Sequence, residues 1–305
     1  MRLQHLVGLR DVDATALSRL LDLSVALRER VQREGPIDIL HGRSIGLLFL
    51  EPSTRTRFSF EMAAKRLGAD VLAMSADSSS TTKGETLWDT ARTLKAHGAD
   101  AFVLRHKYVG AAHQLARRVH APVINAGDGI NEHPTQALLD ALTLRDRFGR
   151  LEGLTVAIVG DLRHSRVTRS NCFALPRLGV RVLLVGPGPL CPDSMTALGA
   201  EVRHSLDEVL PEADVLMMLR IQRERMGPGM LPSDAEYSHF YGLDARRLAR
   251  AKKDVVVMHP GPMNRGLEIA SEVADSPNSV IFAQKANGVA VRMAVLAHLL
   301  GAEEL

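Results

Sequence analysis

The sequence predicts an α/β protein made of two doubly wound parallel-sheet domains joined by bridging helices. Two observations carry that prediction. Short apolar runs of strand length alternate with segments whose apolar residues recur at helical spacing, the signature of βαβ units. The chain is also 305 residues long, which suits two domains with a core each, and the alternation starts afresh near Leu154.

The first helix is expected over 13–34, where Leu17, Leu20, Leu21, Leu27 and Val31 form one stripe behind Asp13 or Thr15. Strands follow at 45–50, 70–74, 100–104 and 122–125, with helices at 54–67, 84–97 and 109–119 between them. Pro134 is pre-set for a first helical turn, and a helix from there to about Arg147 is the natural bridge. In the second half, strands are expected at 154–159, 180–185, 215–219 and 255–258, with a helix at 165–178 after the first. An apolar helix over 288–300 closes the chain.

Composition narrows the function classes. The chain is 46% hydrophobic and 24% charged, with mean hydropathy −0.01, as in water-soluble globular proteins. No apolar run approaches the roughly 20 residues of a membrane span, and the first residues lack a signal-peptide core, so a cytoplasmic protein is expected. A net charge of +3 without a basic run argues against nucleic acid and is compatible with small anionic substrates. Cys172 and Cys191 belong to no zinc-type cluster and imply no disulfide framework. Neither G-x-G-x-x-G nor G-x-x-x-x-G-K-[ST] occurs, so dinucleotide and Walker-type sites lack support.

The most informative stretch is Glu51 to Gly68. A buried strand ends at Glu51-Pro52, and a helix begins with Ser53-Thr54-Arg55-Thr56-Arg57. A helix N-terminus offers free N–H groups and a partial positive charge, hydroxyls add donors, and arginine adds a planar fork for phosphate. The plainer alternative is a Ser/Thr N-cap followed by two solvated arginines.

The whole stretch resembles the S-T-R-T-R element with which the aspartate/ornithine carbamoyltransferase family binds carbamoyl phosphate. Further motifs occur in the family's order. Arg105-His106 ends a strand, and His133-Pro134-Thr135-Gln136 is similar to the family's H-P-T-Q. Gly160 to Arg166, Arg220-Ile221-Gln222-Arg223-Glu224-Arg225 and His259-Pro260-Gly261-Pro262 match its second-domain elements. The resemblance implies that Ser53, Thr54, Arg55 and Thr56 bind the phosphate. It implies that Arg105 and His133 act on the carbonyl oxygen and that Gln136 holds the carbamoyl NH2. Ser79 and Lys83 match a loop that reaches a neighbouring subunit's site, Lys83 acting on both substrates. Arg166 and Arg220 would take the two carboxylates of aspartate, with Gln222 nearby, and Glu51 and Arg225 would pair on domain closure. The carbonyls of the H-P-G-P turn, at Gly261 and a candidate cis Pro262, would orient the amine; glycine stands there where some members have leucine.

Arg55, Thr56, Lys83, Arg105 and His133 are therefore the expected catalytic residues, with no metal and no organic cofactor. The implied reaction transfers the carbamoyl group of carbamoyl phosphate to L-aspartate, an early step of pyrimidine synthesis. The ornithine-using branch is the nearest alternative, but its S-M-G and H-C-L-P segments are missing. A non-catalytic scaffold paralogue would be expected to have lost Arg55, Lys83 or His133. The resemblance further implies a homotrimer with shared sites, and it leaves association with regulatory chains or a dihydroorotase open. It places a carbamoyl-phosphate domain at 1–134 plus a returning helix at 287–305, a bridge at 135–147 and an aspartate domain at 148–286.

Overall fold

The computed structural model describes residues 3–75, 86–227, 229–231 and 233–303. The chain forms two compact units, one of Met1–Leu142 with Ala286–Leu305, the other of Thr143–Lys285.

In the first unit the order is α1 (Ala14–Glu34), β1 (Ser44–Phe49), α2 (Thr54–Arg66), β2 (Asp70–Ser75), α3 (Leu87–Ala96), β3 (Ala101–His106), α4 (Ala111–Ala116), β4 (Val123–Asp128) and the start of α5 (Pro134–Phe148). The four strands are parallel, in the spatial order β2-β1-β3-β4. β1, β3 and β4 are buried along almost their whole length, as continuous apolar runs require. Leu48, Phe102, Leu104, Leu115 and Val123 belong to one core cluster. Gly46 lies in β1 because the Phe102 ring needs the space: a Cβ there would come within 2.9 Å of it.

The second unit continues with β5 (Thr155–Val159), α6 (Arg166–Ala174), β6 (Arg181–Val185), β7 (Glu201–Arg203), α7 (Leu206–Val209), β8 (Val215–Met218), α8 (Asp234–Tyr241), α9 (Ala245–Arg250), β9 (Val256–Met258), α10 (Ser271–Ala274) and the start of α11 (Ile281–Leu300). Its five strands are parallel in the order β7-β6-β5-β8-β9. Both α5 and α11 run across the division between the units. The remainder of α11 packs within the first unit: Asn287 accepts from Arg28 of α1 at 2.7 Å, and Arg292 donates to Ser59 of α2 at 2.7 Å.

Several elements differ from the sequence expectation, among them α4, which covers only Ala111–Ala116 of the expected 109–119, and α7 to α10, which the sequence reading lacks. α6 stops at Ala174, short of residue 178, and a 3₁₀ turn over Pro176–Leu178 follows, because Pro176 has no N–H for the helical ladder. α11 begins at Ile281 rather than near Gly288, since tertiary packing accommodates a glycine inside the helix. β7, a half-buried edge strand reading Glu-Val-Arg, is too short for periodicity to show. Of the helix expected at 84–97, residues 84 and 85 lie outside the described residues.

Both cysteines are buried, and burial pushes each thiol up to about 12. The native protein is therefore expected to resist Ellman's reagent at pH 8, while the denatured chain consumes it at both positions. Rapid labelling of the native protein would contradict the packing around α6 and the 191 turn.

Candidate active site

In the first unit the chain leaves β1 toward β2 on one side, then crosses back to place β3 on the other side of β1. The loops after β1 and β3 therefore diverge, and the crevice lies between them. The loop after β1 carries Glu51 and Ser53 and leads into α2, so Thr54, Arg55 and Thr56 form its first turn. Ser53 stands at the N-cap, yet its hydroxyl makes no capping bond. The side chains of Asp13, Thr86, Ser165, Ser233 and Asp244 all cap their helices. The plain N-cap reading of Ser53 is thus not what the structure shows. The first ladder bond of α2 runs from the Arg57 N–H to the Ser53 carbonyl, so the N–H groups before it point out of the helix end.

Arg105 lies opposite Phe49 in the β1–β3 register, which brings it beside that loop. It is 9% exposed. Its Nη2 donates to Glu51 at 3.0 Å and its Nη1 to the Ala126 carbonyl at 3.1 Å. The carboxylate that the resemblance assigns to a pair with Arg225 is here engaged by Arg105.

The sequence reads 125–129 as a loop, but Asn125 to Asp128 complete β4, and the turn comes after them. Asn125 donates to the Val7 carbonyl and to Asp128. Asp128 accepts from the N–H groups of Gly110 and Glu132, and Glu132 accepts from the Leu9 N–H at 2.8 Å. This buried polar lattice sets where His133 emerges. The His133 side chain is buried, and its carbonyl starts α5 by accepting from the Gln136 N–H at 2.9 Å. The signal in the sequence was Asn125, Asp128 and Glu132, three polar residues around an Ala-Gly pair, readable as a turn but not as a mutual network. Ser79 and Lys83 lie outside the described residues.

The second unit repeats the logic. β6 and β7 lie to one side of β5, β8 and β9 to the other, so its crevice opens between the loops after β5 and β8. Gly160 ends β5 at φ 135°, and a Cβ there would sit 2.9 Å from the Leu219 carbonyl, so only glycine lets the two loops approach. Asp161 accepts from the backbone N–H of His164 and lies 2.9 Å from its ring Nδ1. Burial raises the Asp161 carboxyl above its ordinary range, opposed by the bonds from His164 and the Gln222 backbone. The His164 carbonyl in turn accepts from Gln222 at 3.3 Å and from Arg225 at 3.2 Å. Arg166 opens α6 and is buried, while Arg220 forms an ion pair with Glu224. Gly261 and Pro262 follow β9, the neighbour of β8, and their bond is cis. Gly261 has φ 73°, the left-handed region that disfavours a leucine.

The family model for the aspartate/ornithine carbamoyltransferase carbamoyl-P binding domain matches residues 4–146, and that for the Asp/Orn binding domain matches residues 152–299. The chain belongs to the aspartate/ornithine carbamoyltransferase family. It is 57% identical to the aspartate carbamoyltransferase catalytic subunit of Salinispora arenicola over 98% of both chains. It is 58% identical to that of Gluconobacter oxydans over 97% of this chain and 95% of the relative. Among solved structures, aspartate transcarbamoylase from Trypanosoma cruzi with carbamoyl phosphate and aspartate superposes with a TM-score of 0.87 at 33% identity, covering 96% and 95% of the two chains. Ornithine carbamoyltransferase from Pyrococcus furiosus also gives 0.87, at 29% identity, covering 99% of each. Backbone shape is thus common to both branches of the family, and the sequence separates them.

His259 is fully buried; its Nδ1 accepts from the Gly261 N–H at 2.9 Å, and its Nε2 lies 3.2 Å from Glu268. Burial lowers its pKa below the ordinary 6.5, against the opposing pull of Glu268. The unfolded chain then takes a proton near pH 6.5 that the folded chain refuses, so stability falls as pH drops through and below that value. His5 and His106 are also lowered by burial and act with the same sign, whereas His204, raised by its bond to Asp193, acts with the opposite one. Thermal melts are expected to show Tm declining from pH 7 to 5, with a shallower decline in His259→Gln. Equal slopes in the two proteins would remove His259 from the titration.

Proposed function

We propose that this chain transfers the carbamoyl group of carbamoyl phosphate to the α-amine of L-aspartate, giving N-carbamoyl-L-aspartate and phosphate. The reaction belongs to de novo pyrimidine biosynthesis, the route to UMP. The single observation that carries the reading is the uncapped start of α2 beside buried Arg105 at the strand-order reversal of the first unit.

In this reading residues 1–134 with 287–305 form the domain that binds carbamoyl phosphate, and residues 148–286 bind aspartate, with 135–147 as the bridge. Ser53, Thr54, Arg55 and Thr56 take the phosphate oxygens through hydroxyls, N–H groups and a guanidinium. Arg105 and His133 donate to the carbonyl oxygen, where negative charge grows as the amine attacks. Gln136 takes the carbamoyl NH2, and the carbonyls of the Gly261–Pro262 turn orient the attacking amine. The neutral amine forms the new C–N bond, the C–O bond to phosphate breaks, and the departing phosphate accepts the amine proton. The protein's part is orientation and a preformed positive surface. Arg166 and Arg220, with Gln222, receive the two carboxylates. Arg220 is already charge-paired with Glu224, so substrate would share or displace that partner. Ser79 and Lys83 complete the site from a neighbouring subunit, and Glu51 with Arg225 serves domain closure.

Aspartate brings two carboxylates where ornithine brings one and a second amino group. Like charges about 4 Å apart at an effective dielectric near 20 repel by roughly 4 kcal/mol, so two arginines favour aspartate strongly. A steady-state assay is expected to show carbamoylation of L-aspartate and essentially none of L-ornithine. Arg220→Ala should raise the aspartate KM or lower kcat, with less effect on carbamoyl phosphate. Preference for ornithine would overturn the reading of the second unit.

The assembly in this reading is a cytoplasmic homotrimer. α2 exposes Phe58 (53%) and Met62 (46%) one turn apart, and edge strand β2 exposes Leu72, an apolar surface that a second copy would cover. Among the described residues no helix is long and apolar enough to cross a membrane. Purified Arg55→Ala should lose about two to three decades of kcat with its fold intact, as removal of a charge-assisted contact at developing charge does. Mixed and reassembled with inactive Lys83→Ala chains, it should regain part of the activity, because some sites then carry neither lesion. Hybrids as inactive as their parents would mean that no site is shared.

A further inference from the structure

Gln136 lies in the first turn of α5, and its Nε2 donates to Asp140 Oδ1 at 2.9 Å, one turn further on. Both side chains are buried, Asp140 completely. A carboxylate can only accept, so it claims the NH2 end of the Gln136 amide and turns Oε1 the other way. The charge of Asp140 acts on the buried guanidinium of Arg292 on α11, holding its pKa up against burial. Arg292 is itself buried, stacks 4.9 Å over the Phe60 ring, and donates to Ser59 of α2 at 2.7 Å. Gly288, one turn earlier on α11, leaves the room, because a Cβ there would overlap the guanidinium. Two buried hydrogen bonds, Ser59–Arg292 and Asp140–Gln136, coupled through the opposite charges of Arg292 and Asp140, thus relate the helix of the phosphate motif to the helix of the H-P-T-Q motif.

We propose that Asp140 is a positioning residue that sets selectivity for the carbamoyl group, by holding the Gln136 amide so that its Oε1 faces the substrate NH2. The inference rests on the assignment of Gln136 to that NH2. An acceptor oxygen distinguishes a carbamoyl NH2 from the methyl group of acetyl phosphate, which has the same phosphate and similar size but offers no donor. An asparagine at 140 can present either end of its own amide. The Gln136 amide is then free to turn over and point its NH2 at another NH2, and the distinction is lost.

The test compares the KM for carbamoyl phosphate with the competitive Ki of acetyl phosphate in the parent, in Asp140→Asn and in Gln136→Ala. Asp140→Asn is expected to shrink the carbamoyl-over-acetyl preference about tenfold, the worth of one oriented hydrogen bond, with acetyl phosphate binding little changed. Weakening of both ligands by the same factor would mark a merely structural role and overturn the proposal. If Gln136→Ala loses the preference while Asp140→Asn keeps it, the proposal falls and the Gln136 assignment stands. If Gln136→Ala keeps the preference, the assignment falls and the proposal with it. Should Asp140→Asn yield no folded protein, the double variant Gln136→Glu, Asp140→Asn is measured instead. There carboxylate and amide trade places and an acceptor still faces the substrate, so the parent's preference is expected. A double variant with no preference would overturn the proposal.

Discussion

The constraint on which this structure depends is the reversal of strand order in each parallel sheet. Winding outward from β1 in one direction and then crossing to its other side forces the loops after β1 and β3 apart; the same happens at β5 and β8. A gap at the C-terminal ends of two neighbouring strands is lined by carbonyl-end loops and helix N-termini, which suit anions. The uncapped start of α2 and Arg105 stand at the first reversal. Arg166, Arg220 and Gln222 stand at the second.

Burial of charge is the second organising fact. Arg105, Arg166 and Arg292 are all buried, and a buried cation is costly unless it is charge-balanced and hydrogen-bonded. For Arg105 the balance comes from Glu51, with a carbonyl of β4 taking a further donor. Arg292 has the Asp140 charge, the Ser59 hydroxyl and the Phe60 face, and burial lowers its pKa to about 10. Cations held this way cannot swing with solvent, so the direction of their field is fixed. The Asn125–Asp128–Glu132 lattice does the same for His133 by fixing the backbone that delivers it.

Much of the fold was legible from residues alone because its strands are buried on both faces and so read as apolar runs: the run at 45–50 marks β1, which spans Ser44–Phe49, and the run around Val156 marks β5. What resisted reading was short or decided by distant packing. β7 takes three residues of mixed charge, α7 and α10 only four each, and α11 carries Gly288 in its interior because Arg292 needs the space. The motif residues at the strand ends were found from their types and order. Asp140 and Arg292 were not singled out as functional, since an acid within a helix and an arginine within an apolar one look like surface residues until their burial is seen.

By itself the sequence determined the α/β class, the residue types at each strand end and the branch of the family, because residue type and order are properties of the chain. Strand order was decided only by the tertiary structure, because nothing local in a parallel strand states which neighbour it will pair with. So were the missing cap at Ser53, the engagement of Glu51 by Arg105 and the buried carboxylate that orients the Gln136 amide. Each of these depends on the direction in which a side chain points and on what lies in its path. Those are settled when separate elements pack, over contacts as far apart in sequence as Ser59 and Arg292.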